Sequence, residues 1–191
     1  MINMHKHTHT RVRAASSGFT LLEVLIAIVV VAFGLLGLAG LQLFALKNNQ
    51  SASARVAATS LASDMIDRMK ANFQGVIAGN YHAPDLTSYG GPAVPTCNTV
   101  AGCTPAELAQ HDLFEWTARV AAALPGGVGI VCSDPTPNDA APTPTPPALT
   151  GCAPAATSDL PLYAVKIWWV DDRSQANPGG TLKYVYTAFN P

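Results

Sequence analysis

The stretch SGFTLLEVLIA, from Ser17 to Ala27, decides the fold of this chain. It sets one acidic residue, Glu23, at the start of an apolar run in which Gln42 is the only conventionally polar side chain between residues 24 and 46. At about 1.5 Å per residue, a helix over this run is roughly 35 Å long, which is enough to cross a bilayer. A carboxylate costs about 3 kcal/mol at the bilayer centre and less near its surface, so Glu23 is a candidate functional residue that needs a partner.

The order of residues from Gly18 to Glu23 resembles the type III signal of type IV pilins and type II secretion pseudopilins. That signal fixes a glycine, an apolar residue, a hydroxyl residue, the glutamate and the apolar run. The resemblance implies that prepilin peptidase cuts between Gly18 and Phe19 and methylates the new amino terminus, so that Phe19 becomes N-methylphenylalanine. In a bundle of such helices the Glu23 carboxylate can meet the amino terminus of a neighbouring subunit, which makes Glu23 the predicted assembly and docking residue.

An ordinary secretory signal is the alternative interpretation of this region. Lys6, Arg11 and Arg13 would form its basic n-region, and the small residues at 52–54 would form its cleavage site. The apolar run is longer than a usual h-region of about 7 to 15 residues and opens with an acid, so the prepilin signal is favoured. The histidines at positions 5, 7 and 9 resemble a metal-binding tract, but they lie in the predicted leader.

The predicted domain organisation follows from this signal. Residues 1–18 are a leader that is removed, 19–46 a transmembrane and assembly helix, 47–74 its amphipathic continuation, and 75–191 a head domain. Apolar side chains recur in the continuation at three- or four-residue steps, at Ala54, Ala58, Leu61, Met65, Met69 and Phe73. This stripe requires a partner surface in the head. On the opposite face, the i, i+4 spacing of Asp64 and Arg68 predicts solvated side chains.

One further helix is predicted in the head. Thr104, Pro105 and Glu107 have the form of a capping box with proline at the first helical position. The helix that they open extends to about Leu124, where a proline and two glycines end it.

The rest of the head predicts a small antiparallel sheet. A strand is expected at 127–133, and a hairpin pairs 162–170 with 181–189. Between them, a Pro/Thr-rich loop at 134–150 cannot join a sheet. The expected fold is therefore α+β and type IV pilin-like: a long N-terminal helix packed on a small antiparallel β-sheet domain with one extra helix.

All four cysteines follow the membrane segment, at Cys97, Cys103, Cys132 and Cys152. An even number of cysteines in a translocated domain indicates disulfides, for which four cysteines allow about three pairings. Pairing of Cys97 with Cys103 and of Cys132 with Cys152 is favoured, because near neighbours close short loops at a small entropic cost. A zinc site is the alternative, but the sequence has no C-x-x-C spacing.

Charge and motif patterns argue against other function classes. The net charge is −1, and loss of the three basic leader residues makes the remainder more acidic, so nucleic acid is not an expected partner. His111 and Glu115 have a metal-ligand spacing but no third ligand, and Asp171 and Asp172 are better explained by a solvated turn than by calcium. No cofactor or metal is expected. The sequence has no nucleophile elbow or poised catalytic dyad, so it is not predicted to be an enzyme.

The resemblance continues beyond the signal. Segments at 65–72, 112–116 and 124–127, with Trp168 and Trp169 in a terminal strand, resemble the minor pilins of the type IV pilus modification protein PilV family. Such minor pilins prime pilus assembly at or near the tip and help to expose an adhesin. The resemblance implies that the partners are prepilin peptidase, other minor pilins, the major pilin, a tip adhesin and inner-membrane lipid.

The predicted location follows from the same resemblance. The chain would be a single-pass protein of the bacterial inner membrane with its head in the periplasm, and would then enter a surface pilus. Two alternatives remain: a minor pseudopilin of a type II secretion system, which has the same signal, and a membrane-anchored periplasmic enzyme or binding protein.

Overall fold

The computed structural model describes residues 18–83, 92–139, 151–153, 162–171 and 182–191. The chain divides into two compact units, Met1–Leu46 and Lys47–Pro191. The first helix, α1 (Leu21–Ala71), has residues in both units.

In the first unit, the described residues are Gly18 to Thr20, which are not helical, and the amino-terminal part of α1. Its side chains are exposed throughout, as expected of a segment whose apolar surface needs lipid or other helices. Among the described residues, α1 is the one helix that is long and apolar enough to cross a membrane.

The second unit contains the rest of α1, the short helix α2 (Phe73–Ile77), a 3-10 helix (Pro95–Asn98) and helix α3 (Pro105–Ala123). Three strands follow, β1 (Val128–Ser133), β2 (Tyr163–Val170) and β3 (Leu182–Phe189). They form an antiparallel sheet in the order β1-β2-β3. The predicted α+β, type IV pilin-like fold is confirmed, although α2 and the 3-10 helix are present besides the one extra helix that was expected.

Apolar side chains of α1 enter the head core as the stripe predicted, at Ala58, Leu61, Met65 and Met69. The prediction that Phe73 belongs to this stripe is wrong, because 43 % of its surface is exposed. The helix ends at Ala71, and the Asn72 side chain accepts a hydrogen bond from the N–H of Gly75 to cap α2. Phe73 therefore starts a new helix and leaves the stripe.

Helix α3 covers the same core. Leu113, Trp116 and Val120 of α3 are buried, as is Leu124, the residue that follows the helix. The indole N–H of Trp116 donates to the carbonyl oxygen of Leu61 at 2.8 Å, which joins α3 to α1. Gly129 of β1 lies against this ring, since a Cβ there would come within 2.5 Å of Trp116. A glycine is required at this approach.

The two faces of β2 differ in what they contact. Tyr163, Val165, Ile167 and Trp169 belong to the main core, whereas Trp168 packs in a second cluster with Ile130 and Cys132. Trp168 and Trp169 thus lie on opposite faces, in accord with the period of a strand, and both are buried. The side of the sheet that faces away from α1 and α3, here called the reverse face, therefore also carries buried side chains.

Candidate functional site

The predicted cleavage segment is accessible in the structure. Gly18, Phe19 and Thr20 are exposed and precede the first helical turn, and Phe19 has 83 % of its surface exposed. The N–H of Glu23 donates to the hydroxyl oxygen of Thr20 at 3.2 Å, so the hydroxyl residue of the motif satisfies a free donor of the first turn. A peptidase requires such an exposed, non-helical backbone at the bond that it cuts.

Glu23 lies in the first turn of α1, where a carboxylate is favoured by the helix dipole. Beside it on the helix are apolar side chains that include Phe19, Ala27, Ile28 and Val31. Among the described residues, no hydrogen bond or ion pair engages its carboxylate. The dipole explains why a glutamate is tolerated at this end of the helix, where apolar side chains surround it.

The Asp64 and Arg68 side chains form the i, i+4 pair that their spacing predicts, but both are half-buried, so the expectation of solvated side chains is wrong for this pair. Arg68 donates to Asp64 at 3.2 Å, and also to Asp112 at 2.9 Å and Glu115 at 3.2 Å on α3. Burial by itself would lower the pKa of Arg68, but its hydrogen bonds to Asp112 and Glu115 outweigh that effect and the pKa is raised. Through its ion pairs with Asp112 and Glu115, Arg68 therefore joins α1 to α3.

Asp112 also holds a buried tyrosine. The hydroxyl of Tyr81 donates to its second carboxylate oxygen at 2.6 Å, and the amide of Asn72 donates to the same hydroxyl at 3.1 Å. Burial, together with the hydrogen bond to Asp112, raises the pKa of Tyr81 far above its ordinary value. This polar network joins α1, α3 and the segment after α2, and sequence reasoning missed it.

The other cap and metal predictions concern α3. Thr104 and Glu107 form the predicted capping box, and the hydrogen bond from the N–H of Thr104 lowers the pKa of Glu107. His111 contacts Glu115 at 3.2 Å and accepts from the N–H of Val94 at 3.3 Å. Within the described ranges, no group of three metal-ligating side chains occurs.

The structure describes one of the two aspartates in the predicted solvated turn. Asp171 accepts a hydrogen bond from the hydroxyl of Ser51 at 2.8 Å, while Asp172 lies outside the described residues. The leader histidines and positions 140–150 of the Pro/Thr-rich loop also lie outside them.

Disulfides join Cys97 to Cys103 and Cys132 to Cys152. The first closes a short loop that begins within the 3-10 helix. The second links the buried end of β1 to the far end of the Pro/Thr-rich segment. Cys132 and Cys152, which flank that segment, therefore both lie at the reverse face of the sheet.

A buried ion pair on this reverse face is a second feature that the sequence analysis missed. The ammonium group of Lys166, in the middle of β2, contacts the carboxylate of Asp134, and neither side chain has any exposed surface. A lysine within a strand shows no local sign of its partner, which is why the pattern of the strand alone did not indicate the pair.

Comparison with known proteins adds two adjoining matches. The Prokaryotic N-terminal methylation motif matches residues 13–39, and the Tt1218-like family, described as Type IV pilin Tt1218, matches residues 40–114. No curated protein and no solved structure shows significant similarity to the chain. The first match spans Gly18, Phe19 and Glu23, and the second ends within α3. From residue 13 to residue 114, the chain is therefore similar in sequence to the N-terminal methylation motif and to the Tt1218-like type IV pilin family.

Proposed function

We propose that this protein is a minor type IV pilin, processed by prepilin peptidase, that takes part in priming pilus assembly at the pilus tip. The observation that carries the proposal is the exposed, non-helical segment Gly18–Thr20 directly before a long apolar helix with Glu23 in its first turn. Cleavage after Gly18 would place a charged amine on Phe19, close to the helix end that Glu23 occupies. The chain then acts as a structural subunit and not as an enzyme.

The expected partners follow from this role. Prepilin peptidase acts on the segment from Gly18 to Phe19, the inner membrane stores the apolar helix, and other minor pilins, the major pilin and a tip adhesin contact the assembled subunit. Two disulfides fit a head that is translocated into an oxidising compartment before assembly.

Mass spectrometry of the mature protein tests the processing step. We expect an amino terminus at methylated Phe19, and we expect Gly18→Val to keep the leader, to remain in the membrane and to be absent from pili. Gly34→Val is the matched control, because a side chain has open space at either glycine in the isolated chain. A mature protein that begins near Arg55 would refute the proposal.

A deletion strain separates the pilus from the secretion alternative. Loss of this chain is expected to reduce the number of surface pili and to leave type II secretion unchanged, and complementation by the intact gene should restore piliation. Quantitative mass spectrometry of sheared pili should find the protein at a small fraction of the major pilin. Normal piliation with defective secretion would instead assign the chain to a pseudopilin.

A further inference from the structure

The Lys166 ammonium group occupies a closed site on the reverse face of the sheet. Lys166 is paired with Ile130 of β1 and Tyr186 of β3. Because it precedes Trp168 by two residues in β2, its side chain lies on the same face of the sheet as that of Trp168. It is fully buried, and it contacts the equally buried carboxylate of Asp134, which follows β1 directly. A second carboxylate, that of Asp139, lies 3.8 Å from the lysine nitrogen and is about half exposed.

Asp134 is held in position by its own backbone and by its neighbours. Its N–H donates to the carbonyl oxygen of Leu162 at 2.7 Å, next to the start of β2. One of its carboxylate oxygens accepts from the N–H of Thr136 at 2.8 Å, and the other contacts Lys166. The hydroxyl of Thr136 donates to Asp139 at 2.7 Å, which brings the second carboxylate into the same cluster.

Burial changes the chemistry available to this pair. Each buried charge loses several kcal/mol of solvation, and condensation of the pair requires one proton to pass from the ammonium to the carboxylate. The result is a neutral amine, which is a nucleophile, in contact with a neutral carboxyl group, which is an electrophile. Fixed contact of this kind raises the effective concentration of the two groups far above that of free amines and acids in water.

We infer that Lys166 and Asp134 condense to an intramolecular isopeptide bond. The lysine nitrogen attacks the carboxyl carbon of Asp134, a C–N bond forms, and one C–O bond of the carboxyl group breaks. Asp139 takes the proton from the nitrogen and delivers it to the departing hydroxyl group, which leaves as water. The net change is loss of one water molecule from an ammonium and a carboxylate, with no oxidant or reductant.

Two properties of Asp139, its distance from Lys166 and its partial exposure, suit it to transfer that proton. It is close enough to Lys166 to share the cluster, and its exposed half gives the released water a path to solvent. The bond would tie the segment after β1 to the middle strand of the sheet, on the same face as the Cys132–Cys152 disulfide. Unlike that disulfide, it would survive reduction.

Mass spectrometry of the full chain, purified in detergent and fully reduced, tests this inference. We expect the intact protein to be lighter than its processed sequence by one water molecule. Trypsin should fail to cut after Lys166 and should leave one peptide from Val120 to Arg173 that lacks the same mass. Recovery of separate peptides that end at Lys166 and begin at Ile167, with their full masses, would show an ion pair only and would overturn the inference.

Variants assign the individual roles. Lys166→Met should restore the full mass, while Asp139→Ala should leave the unlinked form in excess. Asp67→Ala, which removes an exposed aspartate of α1, is the matched control and should remain fully linked. Full linkage in Asp139→Ala would overturn the role given to Asp139. If Lys166→Met fails to accumulate, the peptide map of the unaltered protein still decides the question.

Discussion

At the scale of single residues, Asp112 is the acceptor on which two helices depend. Arg68 and Tyr81 both donate to it, and 6 % of its surface is exposed. Asp112→Ala would leave the tyrosine hydroxyl without its acceptor and would remove one of three carboxylates from Arg68. We expect the free energy of unfolding to fall by about 3 kcal/mol, measured by urea titration of the full chain in detergent.

The matched control for Asp112 is Asp67, whose pairing with Lys70 at 3.5 Å is solvated on both sides. Asp67→Ala should change the free energy of unfolding by less than about 0.5 kcal/mol. Equal effects of the two changes would contradict the importance given to the buried network.

The raised pKa of Tyr81 leads to a prediction of how the free energy of unfolding changes at alkaline pH. Burial, and then the hydrogen bond to Asp112, raise the pKa of Tyr81, and burial also raises the pKa of Tyr163. Above about pH 10 an unfolded tyrosine loses its proton while the folded one keeps it, so the unfolded state binds fewer protons and stability falls as pH rises. Below that pH the contribution is fully present.

Urea titrations between about pH 8 and about pH 11 measure this loss. Tyr81→Phe should reduce the alkaline decline, and Tyr163, whose pKa burial also raises, should account for part of what remains. Tyr186→Phe, at an exposed position of β3, is the control for the loss of a tyrosine hydroxyl. A decline that is unaltered in Tyr81→Phe would show that other groups cause it.

At the scale of elements, the sequence predicted those helix ends and strands that are stabilised by contacts between residues close together in the chain. The box of Thr104 and Glu107 fixed the start of α3 because both hydrogen bonds lie within one turn. The strands followed from alternation, which is also a property of neighbouring residues. Phe73 was misplaced because a periodic pattern does not record that Asn72 caps a new helix.

Long-range polar contacts had no comparable signal. Arg68 and Asp112 are 44 positions apart, and the spacing of Arg68 from Asp64 gave equal support to a solvated pair. No sequence neighbour of Lys166 indicates its partner, Asp134, which contacts it in a fully buried site. Which charged groups become buried together is decided by the packing of the sheet and helices, so it could not be predicted from spacing.

The two disulfides should contribute unequally to the stability of these elements. Cys132 is fully buried and closes a separation of 20 residues, whereas the bond between Cys97 and Cys103 spans six. Replacing both Cys132 and Cys152 by serine should lower the free energy of unfolding by about 2 to 5 kcal/mol. The corresponding change at Cys97 and Cys103 should cost about 1 kcal/mol less from loop length alone. Urea titration compares the two, and a larger loss at the shorter loop would contradict this order.

At the scale of the whole molecule, the chain combines a folded head with a helix whose apolar surface is exposed throughout residues 21–46. Such a surface requires lipid before assembly and other helices afterwards. Packing among helices would also bury Glu23, and a carboxylate buried without a partner would oppose assembly. In the proposed assembly, the amine that cleavage would create at Phe19 of a neighbouring subunit would be that partner.

This pairing leads to a prediction for Glu23. Two unit charges about 4 Å apart attract by about 4 kcal/mol at an effective dielectric constant of 20, enough to offset most of the burial cost. Glu23→Ala should therefore still be inserted and cut, since the peptidase recognises mainly the glycine, but it should enter the priming complex poorly and lower the number of surface pili. Counts of pili, and a pull-down of the other minor pilins from cells that carry only the variant, measure both effects. Gln42→Leu, which removes the other polar side chain of the apolar run, is the control and should assemble normally. Normal piliation with an intact complex in Glu23→Ala would mean that this carboxylate has no role in assembly, and the helix dipole alone would then account for a glutamate in the first turn.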